Sequence, residues 1–144
     1  MVVALLVVLA QAQGGVDENM EPAELKSVDE LVRELRSEDR ADALYAAREL
    51  KAQAKGFNKT LRRGQPGSIR VLEARQQLAN IEERAAGPCI DFLADERLAA
   101  PCAGLLVELE LTAALPALYA ATEQDLPRRS NRAILRAIDA LEAE

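Results

Sequence analysis

Two cysteines, Cys89 and Cys102, are the only thiols of the 144-residue chain, and the sequence contains no histidine. Without imidazole, the Ser-His-Asp and Cys-His nucleophiles are excluded, as are zinc and iron sites that need a histidine ligand. The cysteine spacing is not the CxxC of a redox enzyme, so the pair favours a structural disulfide in an oxidising compartment. The alternative is two small buried hydrophobic residues, since Cys is among the most buried residue types.

Carboxylates are plentiful, and several are adjacent or two residues apart in the sequence. The pairs are Asp29/Glu30, Glu82/Glu83, Asp95/Glu96 and Glu108/Glu110. Two acids at a suitable separation could perform acid-base catalysis. These pairs fall at helix caps, turns and exposed helix positions, where acids favour the helix dipole or solubility. The sequence therefore predicts no catalytic residue, no metal site and no cofactor.

A basic segment interrupts a chain whose net charge is −6. No acidic residue lies between Glu49 and Glu73. The cations of this segment are Lys51, Lys55, Lys59, Arg62, Arg63 and Arg70. A local positive field could hold an acidic protein face, a phosphate-bearing headgroup or a cell-wall polymer. Phe57 is the only aromatic residue nearby, so a nucleic-acid site is not expected. The alternative is a solvated loop whose charges pair with acidic helix faces.

A second group of arginines lies near the C-terminus. Arg132 and Arg136 are one helical turn apart and could line an exposed binding face of the final helix. The alternative is again a solvated face, or pairing with acids of neighbouring elements. Both residues are therefore candidates for contact with an anion or a partner.

The first twelve residues predict a secretory leader. Residues 2–10 form an uncharged apolar run, and Ala10-x-Ala12 places small residues where a signal peptidase selects them. No Lys or Arg precedes the run, so a buried strand or helix of the domain is the alternative. Residues 13–26 are acidic and aperiodic, as in a flexible N-terminus. We therefore expect export to the periplasm or the exterior, with a membrane contact only through the cleaved leader.

Composition predicts an all-α domain over residues 27–144, because Ala and Leu dominate and β-branched residues are sparse beyond the leader. Ser27 and Glu30 form a capping box that should start the first helix. A second helix is predicted from about residue 41 to 55, followed by a loop over 56–67, where three Gly and one Pro break the pattern.

The remaining helices are predicted from caps and apolar periodicity. Ser68 should cap a third helix with the apolar stripe Val71, Leu72, Ala74, Leu78 and Ile81. Gly87-Pro88 should close it and open a short helix, and an apolar helix should follow over about 98–110. Thr112 should cap the next helix, and Pro127 should begin the last one.

Paired helices that recur with a period near 30 predict a helical-hairpin solenoid of about three units and six to seven helices. The sequence VDELV at 28–32 precedes Asp39-Arg40, and ALPAL at 114–118 precedes Asp125 and Arg128-Arg129. These stretches resemble HEAT repeats of the short bacterial, phycobilisome-lyase-like type, over about 28–55 and 86–143. The resemblance implies an α-solenoid. The metal-dependent hydroxylases among such proteins use His-Glu ligand pairs, which this chain lacks.

The expected function is that of an exported, non-enzymatic HEAT-like scaffold that binds a protein partner. Solenoids expose an extended surface suited to this role. The alternative is a binder of the cell-envelope surface or an anionic polymer, acting through the basic segment 51–70. A lyase-type enzyme is a third possibility, and the oligomeric state stays open.

Overall fold

A computed structural model describes residues 26–143; the expected leader, the rest of the N-terminal segment up to residue 25 and Glu144 lie outside the described residues. The described part is all-α and contains no strand, which confirms the predicted class. Its helices are α1 (Val28–Leu35), α2 (Arg40–Arg63), α3 (Ile69–Asp91), α4 (Ala99–Glu108), α5 (Leu115–Thr122) and α6 (Arg128–Glu142). None of these helices is both long and apolar enough to cross a bilayer.

The predicted capping box starts α1. The Ser27 hydroxyl accepts a hydrogen bond from the Glu30 amide, and the Glu30 carboxylate accepts one from the Ser27 amide. The two side chains thus satisfy amides that have no partner within the helix. Gln53 of α2 donates to the Lys26 carbonyl at 3.0 Å, which fixes the chain where it enters α1.

Helix α2 is longer than predicted, and the predicted loop over 56–67 is wrong. The helix continues through Gly56 to Arg63, and only residues 64–68 connect it to α3. One glycine inside a helix costs about 1 kcal/mol, which neighbouring contacts can offset. Here Ala54 is buried, Phe57 packs against the core, and Asn58 donates to the Glu108 carbonyl at 2.7 Å.

Helix α3 also passes through a predicted break, since it includes Pro88 and ends only at Asp91. Proline cannot donate to the carbonyl four residues earlier, that of Arg84. Arg36 from the end of α1 donates to that carbonyl at 3.5 Å, a long contact that compensates in part. The predicted apolar stripe is correct for Val71 and other members but wrong for Leu72, whose side chain is 55% exposed.

The C-terminal elements follow the predicted order with shifted boundaries. A short 3-10 turn, Phe92–Ala94, follows α3, and another, Thr112–Ala114, precedes α5. Thr112 therefore does not cap α5, whose N-cap is Ala114. Pro127 is the N-cap of α6, which begins at Arg128. The buried Ser130 hydroxyl donates to the Glu96 carbonyl at 2.9 Å and joins the start of α6 to the loop before α4.

One hydrophobic core runs through the described helices. α1 packs on α2, α3 on α4, and α5 on α6; in addition α2, α4 and α6 pack in series, and α1 packs on α3. The largest fully buried side chains are those of Leu31, Leu35, Leu50, Ile81, Cys89, Leu93, Leu98, Leu105, Leu106, Leu118, Ile134 and Leu141. The series α2–α4–α6 brings two distant basic stretches of the sequence to one side of the molecule.

Candidate functional site

A groove of about 880 Å³ lies between α2 and α6, with the first turn of α4 between them. Small residues line part of it, namely Ala52, Ala100, Pro101 and Ala133. The remaining lining residues are all cationic: Arg48, Lys51, Lys55, Arg128, Arg129, Arg132 and Arg136. No carboxylate is among the described residues that line the groove, so the groove concentrates positive charge on an acidic protein.

The cations form two rows whose spacing follows from helix geometry. Arg48, Lys51 and Lys55 occupy positions i, i+3 and i+7 of α2, so they share one helix face over about 10 Å. Arg128, Arg132 and Arg136 occupy positions i, i+4 and i+8 of α6, so they form a second row about 12 Å long. The two rows face a common space in which one extended anion could contact both helices.

None of these cations is neutralised within residues 26–143. The ion pairs found there are Lys26–Glu34, Arg40–Asp95 and Arg84–Asp29, which all involve other cations. All seven groove cations are exposed. Their charges are therefore available to a ligand at physiological pH, and like-charge repulsion favours binding of an anion between them.

A glycine of α4 provides the space for one of the groove lysines. A Cβ added at Gly104 would lie 2.7 Å from Cε and 2.9 Å from Nζ of Lys51. The Lys51 side chain therefore lies directly on the bare backbone of α4. Any side chain at position 104 would displace the Lys51 ammonium from its present place.

The structure divides the predicted basic segment between two places. Lys51 and Lys55 face the groove, whereas Lys59, Arg63 and Arg70 line a smaller cavity at the turn between α2 and α3. Arg62 is exposed and lines neither of these two cavities. The two groups adjoin on α2, because Lys55 and Lys59 are one helical turn apart.

Cys89 of α3 and Cys102 of α4 are both fully buried, and each is a free thiol in the structure. The two side chains lie within hydrogen-bonding contact, and this contact together with burial raises the pKa of the Cys102 thiol far above its ordinary value. The Cys102 thiol is therefore held in its protonated form in the folded protein. The disulfide between Cys89 and Cys102 stays a prediction.

Three of the carboxylates that the sequence analysis considered for acid-base chemistry have structural partners. Asp29 pairs with Arg84, and Glu30 belongs to the capping box. Asp95 pairs with Arg40 and accepts hydrogen bonds from the amides of Arg97 and Leu98. Across residues 26–143, no group of three or more potential metal ligands comes together.

Sequence reasoning missed three members of the groove. Arg48 precedes Glu49 and so falls outside the acid-free run that defined the basic segment, although its spacing to Lys51 and Lys55 places it on the same helix face. Arg128 and Arg129 were not among the predicted contact residues, yet they line the groove beside Arg132. Helical spacing could have placed Arg48 on the same face as Lys51 and Lys55. The position of this face opposite the arginines of α6 depends on the tertiary fold and could not be predicted from spacing.

No family model, curated protein or solved structure matches the chain. The fold and the site together define residues 26–143 as an all-helical unit whose basic groove has no ion-pair partner among those residues.

Proposed function

We propose that the chain is an exported, non-enzymatic interaction module of HEAT-like helical hairpins, and that it binds an acidic protein partner in the α2–α6 groove. The observation that carries this proposal is the lining of the groove, which combines seven cations with small residues and has no described carboxylate. Complementary charge steers association and fixes the register of a partner. An acidic polypeptide segment is the matching occupant.

The shape of the groove supports a polypeptide rather than a small enclosed ligand. The groove is open and its cationic rows extend about 10 to 12 Å along each helix, which corresponds to three or four residues of extended chain. The small side chains of Ala52, Ala100 and Ala133 permit a close approach of a partner's backbone. Four arginines of α6 supply planar donors that suit bidentate contacts with carboxylates.

The helix pairing supports the HEAT-like part of the proposal. In stacked hairpins the second helices contact one another in series, and so do the first helices. The contacts α2–α4–α6 and α1–α3 follow that order, whereas α5 packs on the 3-10 turn Phe92–Ala94 that follows α3. The unusual lengths of α2 and α3, 24 and 23 residues, depart from a regular repeat. The groove would then lie along the stacked second helices, where solenoids commonly bind partners.

Export rests on the leader pattern in residues 1–12, which lies outside the described residues. It predicts a mature N-terminus just after Ala12. N-terminal sequencing of the exported protein checks this part separately, and an unprocessed Met1 in the cell interior would contradict it.

The experiment that tests the partner class is site-specific photo-crosslinking in the producing cell. A photoreactive residue at Ala52 or Ala133 faces the groove, and one at the exposed Ala120 of α5 serves as the control position. We expect the groove positions to capture a protein with an acidic segment, and the captured peptide to contain that segment. Capture of the same protein from Ala120, or of basic peptides at the groove, would contradict the proposal.

The alternative, a binder that uses segment 51–70 as one surface for an anionic polymer, receives less support. Lys51 and Lys55 line the groove together with the arginines of α6, whereas Lys59, Arg63 and Arg70 line the cavity at the turn between α2 and α3. That turn also carries the exposed aliphatic side chains of Ile69 and Leu72.

A further inference from the structure

The turn between α2 and α3 combines exposed cations with exposed aliphatic side chains. Ile69 is 73% exposed and Leu72 is 55% exposed, the highest values among the large hydrophobic side chains of the described residues. Both lie in the first turn of α3, at i and i+3, and therefore on one helix face. The buried members of the same stretch, Val71 and Ala74, lie on the opposite face against the core.

Four exposed cations lie close to Ile69 and Leu72 in the sequence. Lys59, Arg62 and Arg63 lie in the last turns of α2, and Arg70 lies directly between Ile69 and Leu72. Lys59, Arg63 and Arg70 also line one cavity at the turn, so they meet in space as well as in the sequence. Residues 50–72 contain no carboxylate, and the first acid beyond the turn is Glu73.

Hydrogen bonds and close contacts fix the backbone conformation of the turn between α2 and α3. The Gly64 amide donates to the Thr60 carbonyl at 2.7 Å, and a Cβ at Gly64 would lie 2.5 Å from Cγ2 of Val71. Gly67 has a φ of +84°, a conformation that glycine adopts without steric cost. The Ser68 hydroxyl accepts a hydrogen bond from the Val71 amide and so begins α3 at a fixed point. Ile69 and Leu72 are thereby held outward.

From this arrangement we infer that the α2–α3 turn adsorbs to an anionic lipid surface, with Ile69 and Leu72 inserted among the acyl chains and the four cations at the level of the phosphates. Peripheral attachment of this kind needs only apolar side chains next to basic residues. Two aliphatic side chains are far too little for a stable protein interface, which buries about 800 Å² on each partner. A soluble polyanion would engage the cations but would give no reason for the exposed Ile69 and Leu72.

The cavity at the turn and the α2–α6 groove share no lining residue, although Lys55 and Lys59 are one helical turn apart on α2. Substitution of Ile69 and Leu72 therefore tests the turn without altering a groove residue. Asp95, which follows α3, pairs with Arg40 at the start of α2, and this places the α2–α3 turn at the opposite end of that antiparallel helix pair. Attachment through the turn would leave the groove cations Arg128 to Arg136 free for a protein partner.

The test is co-sedimentation of the exported protein, which lacks the apolar leader, with vesicles of phosphatidylcholine alone and with vesicles that contain equal parts of phosphatidylglycerol. We expect binding only to the anionic vesicles, and weaker binding at high salt. Each basic residue near such a surface strengthens adsorption about fivefold. Arg63→Glu, which removes one such attraction and adds a repulsion, should therefore weaken binding more than tenfold. The double variant Ile69→Ser/Leu72→Ser should also weaken it about tenfold or more.

Two variants serve as matched controls. Leu135→Ser removes an exposed leucine of α6, and Arg97→Glu reverses an exposed charge at the far end of the helix pair. Both should bind the anionic vesicles as the parent protein does, and circular dichroism should show that every variant is folded. The proposal is overturned by absence of vesicle binding, or by equal binding of Ile69→Ser/Leu72→Ser. It is also overturned if polyphosphate, but no vesicle, binds the turn.

Discussion

Gly104→Ala tests whether the Lys51 side chain lies on the backbone of α4. Alanine in place of glycine inside a helix stabilises a protein by about 1 kcal/mol, through helix propensity and the entropy of the unfolded chain. At position 104 the new methyl group would lie 2.7 Å from Cε of Lys51, so the end of that side chain must rotate away. An unfavourable rotamer costs about 0.5 to 1.5 kcal/mol. The net gain should therefore fall well below 1 kcal/mol.

Gly56→Ala is the matched control, because Gly56 is also inside a helix and a Cβ there meets nothing within 4 Å. It should raise the free energy of unfolding by about 1 kcal/mol, or the melting temperature by about 4 °C. Urea unfolding followed by circular dichroism measures both variants. In a Lys51→Ala background, Gly104→Ala should recover the full gain, since the obstructing side chain is gone. A gain that stays equally small in that background, or a loss above about 1 kcal/mol in the parent, would refute the contact.

Further predictions concern the helix cap, the thiols and a tyrosine. Ser27→Ala should lower the free energy of unfolding by about 1 kcal/mol in urea titration, and an unchanged value would mean that the capping box contributes nothing. Non-reducing mass spectrometry should find no alkylatable thiol at Cys89 or Cys102 in the exported protein, with a bridge that stabilises by about 3 kcal/mol; two alkylated thiols would contradict this. The hydrogen bond to Glu142 raises the pKa of Tyr119, and burial adds to the effect. In a Tyr45→Phe background, absorbance titration should therefore find tyrosinate forming above the ordinary range, and Glu142→Gln should reverse this. Because the raised pKa stabilises the folded state at pH values below the ordinary tyrosine pKa, this contribution is lost as the pH rises through the folded value.

Much of the fold follows from local signals. The Ser27–Glu30 capping box and the Ser68 cap were predicted correctly, because hydrogen bonds between near neighbours in the chain determine them. The predicted breaks at Gly56 and Gly87-Pro88 were wrong for the opposite reason. There, tertiary contacts such as Asn58 with Glu108, and in part Arg36 with the Arg84 carbonyl, oppose the local helix-breaking tendencies.

The candidate site was only partly predictable. Lys51, Lys55, Arg132 and Arg136 were identified from charge and spacing, but as two unrelated groups. Their meeting depends on α4, whose small residues let α2 and α6 face a common groove. The exposure of Leu72 was likewise not predicted, since periodicity alone assigns a leucine next to an apolar stripe to the buried face.

The groove as the site of an acidic ligand is tested most directly by the affinity for a fluorescent hexaglutamate peptide, measured by anisotropy at about 0.1 M salt, where the Debye length is about 10 Å. Arg132→Glu removes one attraction of up to about 1 kcal/mol and adds a similar repulsion, so binding should weaken about tenfold or more. Arg75→Glu makes the same change of net charge on the exposed surface of α3 and should leave the affinity within a factor of about two, since its charge is screened from the groove. Equal affinities of the two variants, or binding of hexaglutamine as tight as that of hexaglutamate, would contradict the assignment of the groove.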